Sequence, residues 1–146
     1  MKKTQLIALI WILAISASLF VFAQIPRSAS PEGAEVYIIN LEDGDEVSGD
    51  VLVPFGLKGM GIAPAGYDVE NTGHHHLLIN QDETELDMGF PLPSTESVMH
   101  FGKGQTEVSL ELEPGEYTLQ LLLGNFSHIP HDAPVMSEKI SIAVTE

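Results

Sequence analysis

The chain has 146 residues, no cysteine, and 21 acidic against six basic side chains, for a formal net charge of −15. That surface repels phosphate backbones and anionic lipid heads, which excludes nucleic acid as a partner. The missing thiol excludes disulfides, zinc-finger sites and blue-copper centres, so a small domain must stand on its apolar core alone.

Residues 1–23 read as a secretory signal peptide. Lys2 and Lys3 precede an apolar stretch from Leu6 to Ala23 broken only by Ser16 and Ser18, and Val21-Phe22-Ala23 supplies a small-residue cleavage pattern before Gln24. The same stretch is long enough to span a bilayer, so an uncleaved N-terminal anchor is the alternative. Cleavage leaves a periplasmic or secreted product of 123 residues with no membrane contact, in which four basic residues face 21 acids, a formal net charge of −17. Such a charge serves solubility first and a mild attraction for cations second.

Residues 24–33 form a Ser/Pro linker, and a β-sandwich domain is expected over residues 34–146. Val36–Leu41 is the first strand, Asp43-Gly-Asp45 a turn, and Val51, Val53, Phe55 and Leu57 the inward face of the second strand. Glycines and Pro64 make residues 59–73 a loop. A strand starting at the histidine run His74-His75-His76 continues to about Gln81, and a loop holding Pro91 and Pro93 leads to Val98-Met-His-Phe101. Val108, Leu110 and Leu112 mark the next strand. The last two carry Tyr117, Leu119, Leu121 and Leu123, then Ile140, Ile142 and Val144. Outside the leader no segment has helical periodicity. About seven strands with one apolar face each predict an immunoglobulin-like antiparallel β-sandwich. Pro114-Gly-Glu-Tyr117 resembles a tyrosine corner, which gives Tyr117 a structural role.

All six histidines lie between His74 and His131. On a strand, His74 and His76 share one face about 7 Å apart, while His75 points the other way with Leu77 and Ile79. His100, and His128 or His131 on a proline-punctuated loop, could complete a metal site begun by His74 and His76. The competing reading gives the same histidines a structural role, hydrogen-bonding loop backbones, and His75 fits that reading best. Imidazole suits copper, zinc and nickel, and raw affinity favours Cu(II), so copper is the first expectation and zinc the next. Met60 and Met99 are soft groups that could serve Cu(I), but Met99 alternates with Phe101 as a core residue does.

Enzymatic motifs are lacking. There is no His-Glu-x-x-His helix, no Gly-x-Ser-x-Gly elbow and no Walker loop, and Gly59-Met-Gly-Ile-Ala-Pro64 leads into no helix that could cradle a phosphate. The chain therefore reads as a small-ligand-binding domain with a transition metal as its most specific ligand. The alternative is a non-catalytic adaptor module with a protein partner in the envelope, and a metal-dependent enzyme is the least supported reading.

Several segments together resemble a bacterial family of small exported domains of unknown function: Gly73-His-His-His-Leu-Leu-Ile-Asn80, His100-Phe-Gly-Lys-Gly-Gln-Thr-Glu107, Pro114-Gly-Glu-Tyr-Thr-Leu-Gln-Leu121 and His128-Ile-Pro-His-Asp-Ala-Pro-Val135. Phe55–Gly66 is similar to that family's entry segment. The resemblance implies no particular activity. Members often carry histidine where this chain has Tyr117, a departure that favours the structural role there.

Overall fold

The computed structural model describes residues 27–146; the leader, its cleavage point and the start of the linker lie outside them. Among the described residues no helix is long and apolar enough to cross a membrane. The chain builds two sheets packed face to face. The smaller one orders β1 (Glu35–Ile38), β3 (Val51–Lys58) and β7 (Glu107–Leu110) with β3 central and both pairings antiparallel. The larger one runs β2 (Asp45–Ser48), β9 (Ile140–Thr145), β8 (Gly115–Gly124), β5 (Thr72–Ile79), β4 (Gly61–Ile62), and β6 (Val98–His100) shares the outer edge of β5 with β4.

Period-two alternation produces the core. Val51, Val53 and Phe55 of β3 and Val36 of β1 point inward against Leu77 of β5, Leu119, Leu121 and Leu123 of β8, and Ile142 and Val144 of β9. Residues with the opposite parity on β3 stay outside, as exposed Leu52 shows. Tyr117 behaves as expected: its hydroxyl donates to the carbonyl of Glu113 at 2.9 Å and ties the start of β8 to the preceding corner.

Two departures from the expected antiparallel pattern occur at short strands. β2 pairs in parallel with β9 and β4 in parallel with β5. β2 carries one apolar residue, Val47, and β4 is a Gly-Ile pair, so neither has enough side-chain alternation to mark a strand in the sequence. Both are held by ladder hydrogen bonds to a neighbour rather than by their own pattern.

The outer face of the large sheet is covered. Leu78 of β5, Val98 of β6 and Leu122 of β8 form a second buried cluster with Leu92, flanked by Leu86, Met88 and Met136 from the long connections after β5 and β8. This second layer explains why the end of β8 is buried on both faces and reads as a continuous apolar run. The first part of the connection after β5 holds a single 3₁₀ turn at Glu83–Glu85, capped by Asp82.

Residues 28–30, within the stretch read as a linker, lie against the loop after β8. The amide of Ser30 donates to the carbonyl of Asp132 and the amide of Asp132 to that of Ser28, each at 2.9 Å.

Candidate metal centre

The centre is built on the outer face of the large sheet, at the end of the covered cluster. On β5 the residues facing that side are His74, His76 and Leu78, while His75, Leu77 and Ile79 face the sandwich core. The antiparallel register sets His100 of β6 directly opposite His76. On the other side, Gly124 of β8 lies opposite His74 and Leu122 opposite His76. Three imidazoles on two adjacent strands therefore converge through cross-strand pairing alone.

The fourth comes from the turn after β8, which Asn125 organises. Its backbone amide donates to the Ile129 carbonyl, its carbonyl accepts from the amide of His128, and its Oδ1 accepts from the amides of Ser127 and Ile129. The turn carries His128 in the left-handed region, with φ of 66°. That conformation costs a non-glycine residue roughly 1–2 kcal/mol. The backbone alone would favour glycine there, so the imidazole is kept against the local preference. The His128 carbonyl also accepts from the amide of Leu92 at 2.9 Å, which ties the turn to the cover over the sheet.

Ligand atoms of His74, His76, His100 and His128 all lie within 4.8 Å of one another. His74 Nε2 is 3.1 Å from His128 Nδ1 and 3.2 Å from His100 Nε2. Four nitrogens around a tetrahedral ion at the usual zinc–imidazole bond length stand about 3.3 Å apart. Two of the edges already match that spacing, and the widest pair has to draw in. His74 and His76 are buried, whereas His100 and His128 are half-buried. Among the described residues no carboxylate joins the group.

The same packing favours the neutral form of His74, His76 and His100. Burial pushes His74 down to about 3, with the neighbouring His128 and His100 adding to it, and pushes His76 down to about 2, with His74 and His100 adding. Burial, then His128, lowers His100 as well. Neutral imidazole is the ligating form.

A metal-binding imidazole is usually oriented by a hydrogen bond from its other nitrogen. Here Nδ1 of His74 and Nδ1 of His76 are buried with no hydrogen-bond partner among the described residues. Close glycine backbone confines two of the four rings, His76 and His100. A Cβ on Gly124 would stand 2.6 Å from Cε1 of His76 and 3.1 Å from its Nδ1, and one on Gly102 would collide with the His100 ring. These glycines and Asn125 are the parts that the sequence reading did not single out. Their only signal was position, within four residues of a histidine in the Gly124-Asn-Phe-Ser-His128 and His100-Phe-Gly102 segments.

The remaining two histidines stand apart. His75 sits on the core face with its ring centroid 5.0 Å from that of Phe55, and burial pushes it down to about 4 against a weaker pull from the backbone of Gln105. His131, read from the sequence as a candidate ligand with His128, is not brought into the group. Its Nε2 is 3.1 Å from the carbonyl of Thr72 and its Nδ1 3.4 Å from that of Leu123, so the ring bridges the start of β5 and the end of β8. The two histidines of the His-x-x-His stretch diverge because Pro130 follows the turn and bridges to Gly124, sending His131 to the other side. Met60 and Met99 both pack against the main core, and Met99 lies on the strand face opposite to His100.

No curated protein and no solved structure matches the chain. A family model does match, over residues 53–145, a span that contains all six histidines. The chain thus belongs to the family described as a domain of unknown function, DUF4399.

Proposed function

We propose that this is an exported, non-enzymatic domain that holds a transition-metal ion, copper first and zinc second, through His74, His76, His100 and His128. The observation that carries the reading is the convergence of four imidazoles with ring nitrogens 3.1 and 3.2 Å apart. His74 Nε2 faces two other imidazoles, whereas His131, which does brace the backbone, turns its ring nitrogens to the carbonyls of Thr72 and Leu123. An all-imidazole set without thiolate suits Cu(II) and Zn(II), and the Irving–Williams order puts copper ahead. Four protein ligands with no carboxylate among them favour holding an ion over hydrolytic chemistry, which needs an open position and a base. Export follows from the leader, and an intact mass beginning at Gln24 checks its cleavage.

The test is metal analysis and calorimetry on protein without an affinity tag, with His128→Gly as the diagnostic variant. Glycine relieves the left-handed strain but removes a ligand. Metal affinity should fall at least about tenfold while stability stays within about 1 kcal/mol of the parent. If copper, zinc and nickel all bind no more tightly than about 1 mM, the metal reading fails. If His128→Gly retains metal affinity but destabilises the fold markedly, the histidines brace the loop and the adaptor reading replaces it.

A further inference from the structure

The four ligands are unequally supported. His74 and His76 lie on β5, which is paired on both edges, and His100 on β6, which pairs with it. His128 sits on a turn whose shape depends on Asn125. That turn and the residues after it are gripped from outside by the segment before β1. Arg27 Nε donates to the carbonyl of Pro130 at 3.0 Å, and its Nη2 donates to that of His131. The same guanidinium stands 3.7 Å from the Asp132 carboxylate. Ser28 Oγ accepts from Nδ2 of Asn125 at 3.1 Å, which leaves Oδ1 of that carboxamide turned to the amides on either side of His128. The Ser28–Ser30 backbone ladder onto Asp132 closes the grip, and Ser30 Oγ donates to the carbonyl of Ala133 at 2.8 Å.

We infer that Arg27 and the strap through Ser30 are positioning elements of the metal centre, setting affinity by holding the turn that presents His128. The inference rests on the metal reading above. A planar guanidinium can span two successive carbonyls, which the single ammonium of lysine cannot do in the same geometry. The strap also lies outside residues 53–145, the part that the family model matches. A binding domain cut to those residues would keep all four imidazoles and lose the clamp on one of them.

The experiment uses the full processed chain with Arg27→Ala, Arg27→Lys and Ser30→Pro, the last removing the amide that donates to Asp132. Each is made in the parent and in a His128→Ala background. Zn(II) and Cu(II) affinity is read by chelator competition, and amide hydrogen exchange at His128 and Asp132 is read without metal. In the parent, Arg27→Ala and Ser30→Pro should weaken binding about three- to tenfold and speed exchange at both amides, with Arg27→Lys closer to alanine than to arginine. In the His128→Ala background the strap changes should cost no further affinity, because the ligand they position is gone. Equal losses in both backgrounds would mean that the strap acts on general stability and would overturn the inference. So would faster exchange with unchanged affinity in a parent that binds metal, or unchanged exchange at both amides. A parent that binds neither metal defeats the metal reading, a result distinguishable from all of these.

Discussion

The two faces of β5 present adjacent histidines to opposite surroundings. His74, His75 and His76 are equally buried, at 0%, 0% and 1% exposure, yet His75 meets Phe55 in the sandwich core while its neighbours meet three other ring nitrogens or rings on the outer face. Burial therefore does not distinguish a structural histidine from a ligand. What distinguishes them is the chemistry of the opposing surface: apolar and filled in one case, donor-rich and lined by glycine in the other.

The sharpest way to separate the faces is to remove one side at a time. Replacing His74 and His76 together with alanine should lower Cu(II) or Zn(II) affinity by at least about a thousandfold, roughly 4 kcal/mol, because it takes two of four ligands. His75→Leu should leave affinity within about threefold. Calorimetry on the two variants makes the comparison, and a His75 effect as large as that of the pair would erase the distinction between faces.

Acid draws on both faces, and a change at His75 isolates the share of the core face. His75 is held near 4 in the folded state and returns to about 6.5 on unfolding. As pH falls below 6.5 the unfolded chain takes up a proton that the folded one refuses. Stability is thus lost between about 6.5 and 4, on the order of 3 kcal/mol from this residue. His74 and His76, held lower still by burial, and Asp82 and Glu83, whose pKa values are lowered by Thr84 and Lys139 hydrogen bonds, add acid sensitivity to parent and variant alike. Urea unfolding at pH 7 and 4.5 should therefore show a smaller acid loss in His75→Leu than in the parent. Identical losses would mean that His75 is not held neutral by the core.

The smallest expected effect concerns the wall behind the ligands. Gly124→Ala places a methyl group against the His76 ring and the backbone of His128. Overpacking of this kind costs about 1–3 kcal/mol, and metal affinity should drop about tenfold as His76 turns away. Thermal unfolding and chelator competition read the two consequences, and an unchanged affinity would show that His76 does not need this wall.

Much of the scaffold was legible because it is written in alternation. Val51, Val53 and Phe55, the leucines of β8 and the isoleucines of β9 each announce an inward face, and Pro114-Gly-Glu-Tyr117 announces the corner. β2 and β4 were not legible, since their pairing is supplied by β9 and β5. The outer cover was also hidden: Leu92 and Leu86 sit in stretches without periodicity and are buried only because Leu78, Val98 and Leu122 lie beneath them.

For the centre itself, strand parity by itself determined that His74 and His76 share a face and that His75 does not, because side chains alternate along any strand. The sequence also determined the donor chemistry, since a chain without cysteine that carries six histidines can offer imidazole but no thiolate. Only the tertiary structure decided which of the distant histidines join them. The β5–β6 register puts His100 opposite His76, and the Asn125 turn brings in His128 while Pro130 sends His131 to the carbonyls of Thr72 and Leu123. Register and turn geometry are set by hydrogen bonds between segments far apart in the chain, and local residue patterns carry no record of those partners.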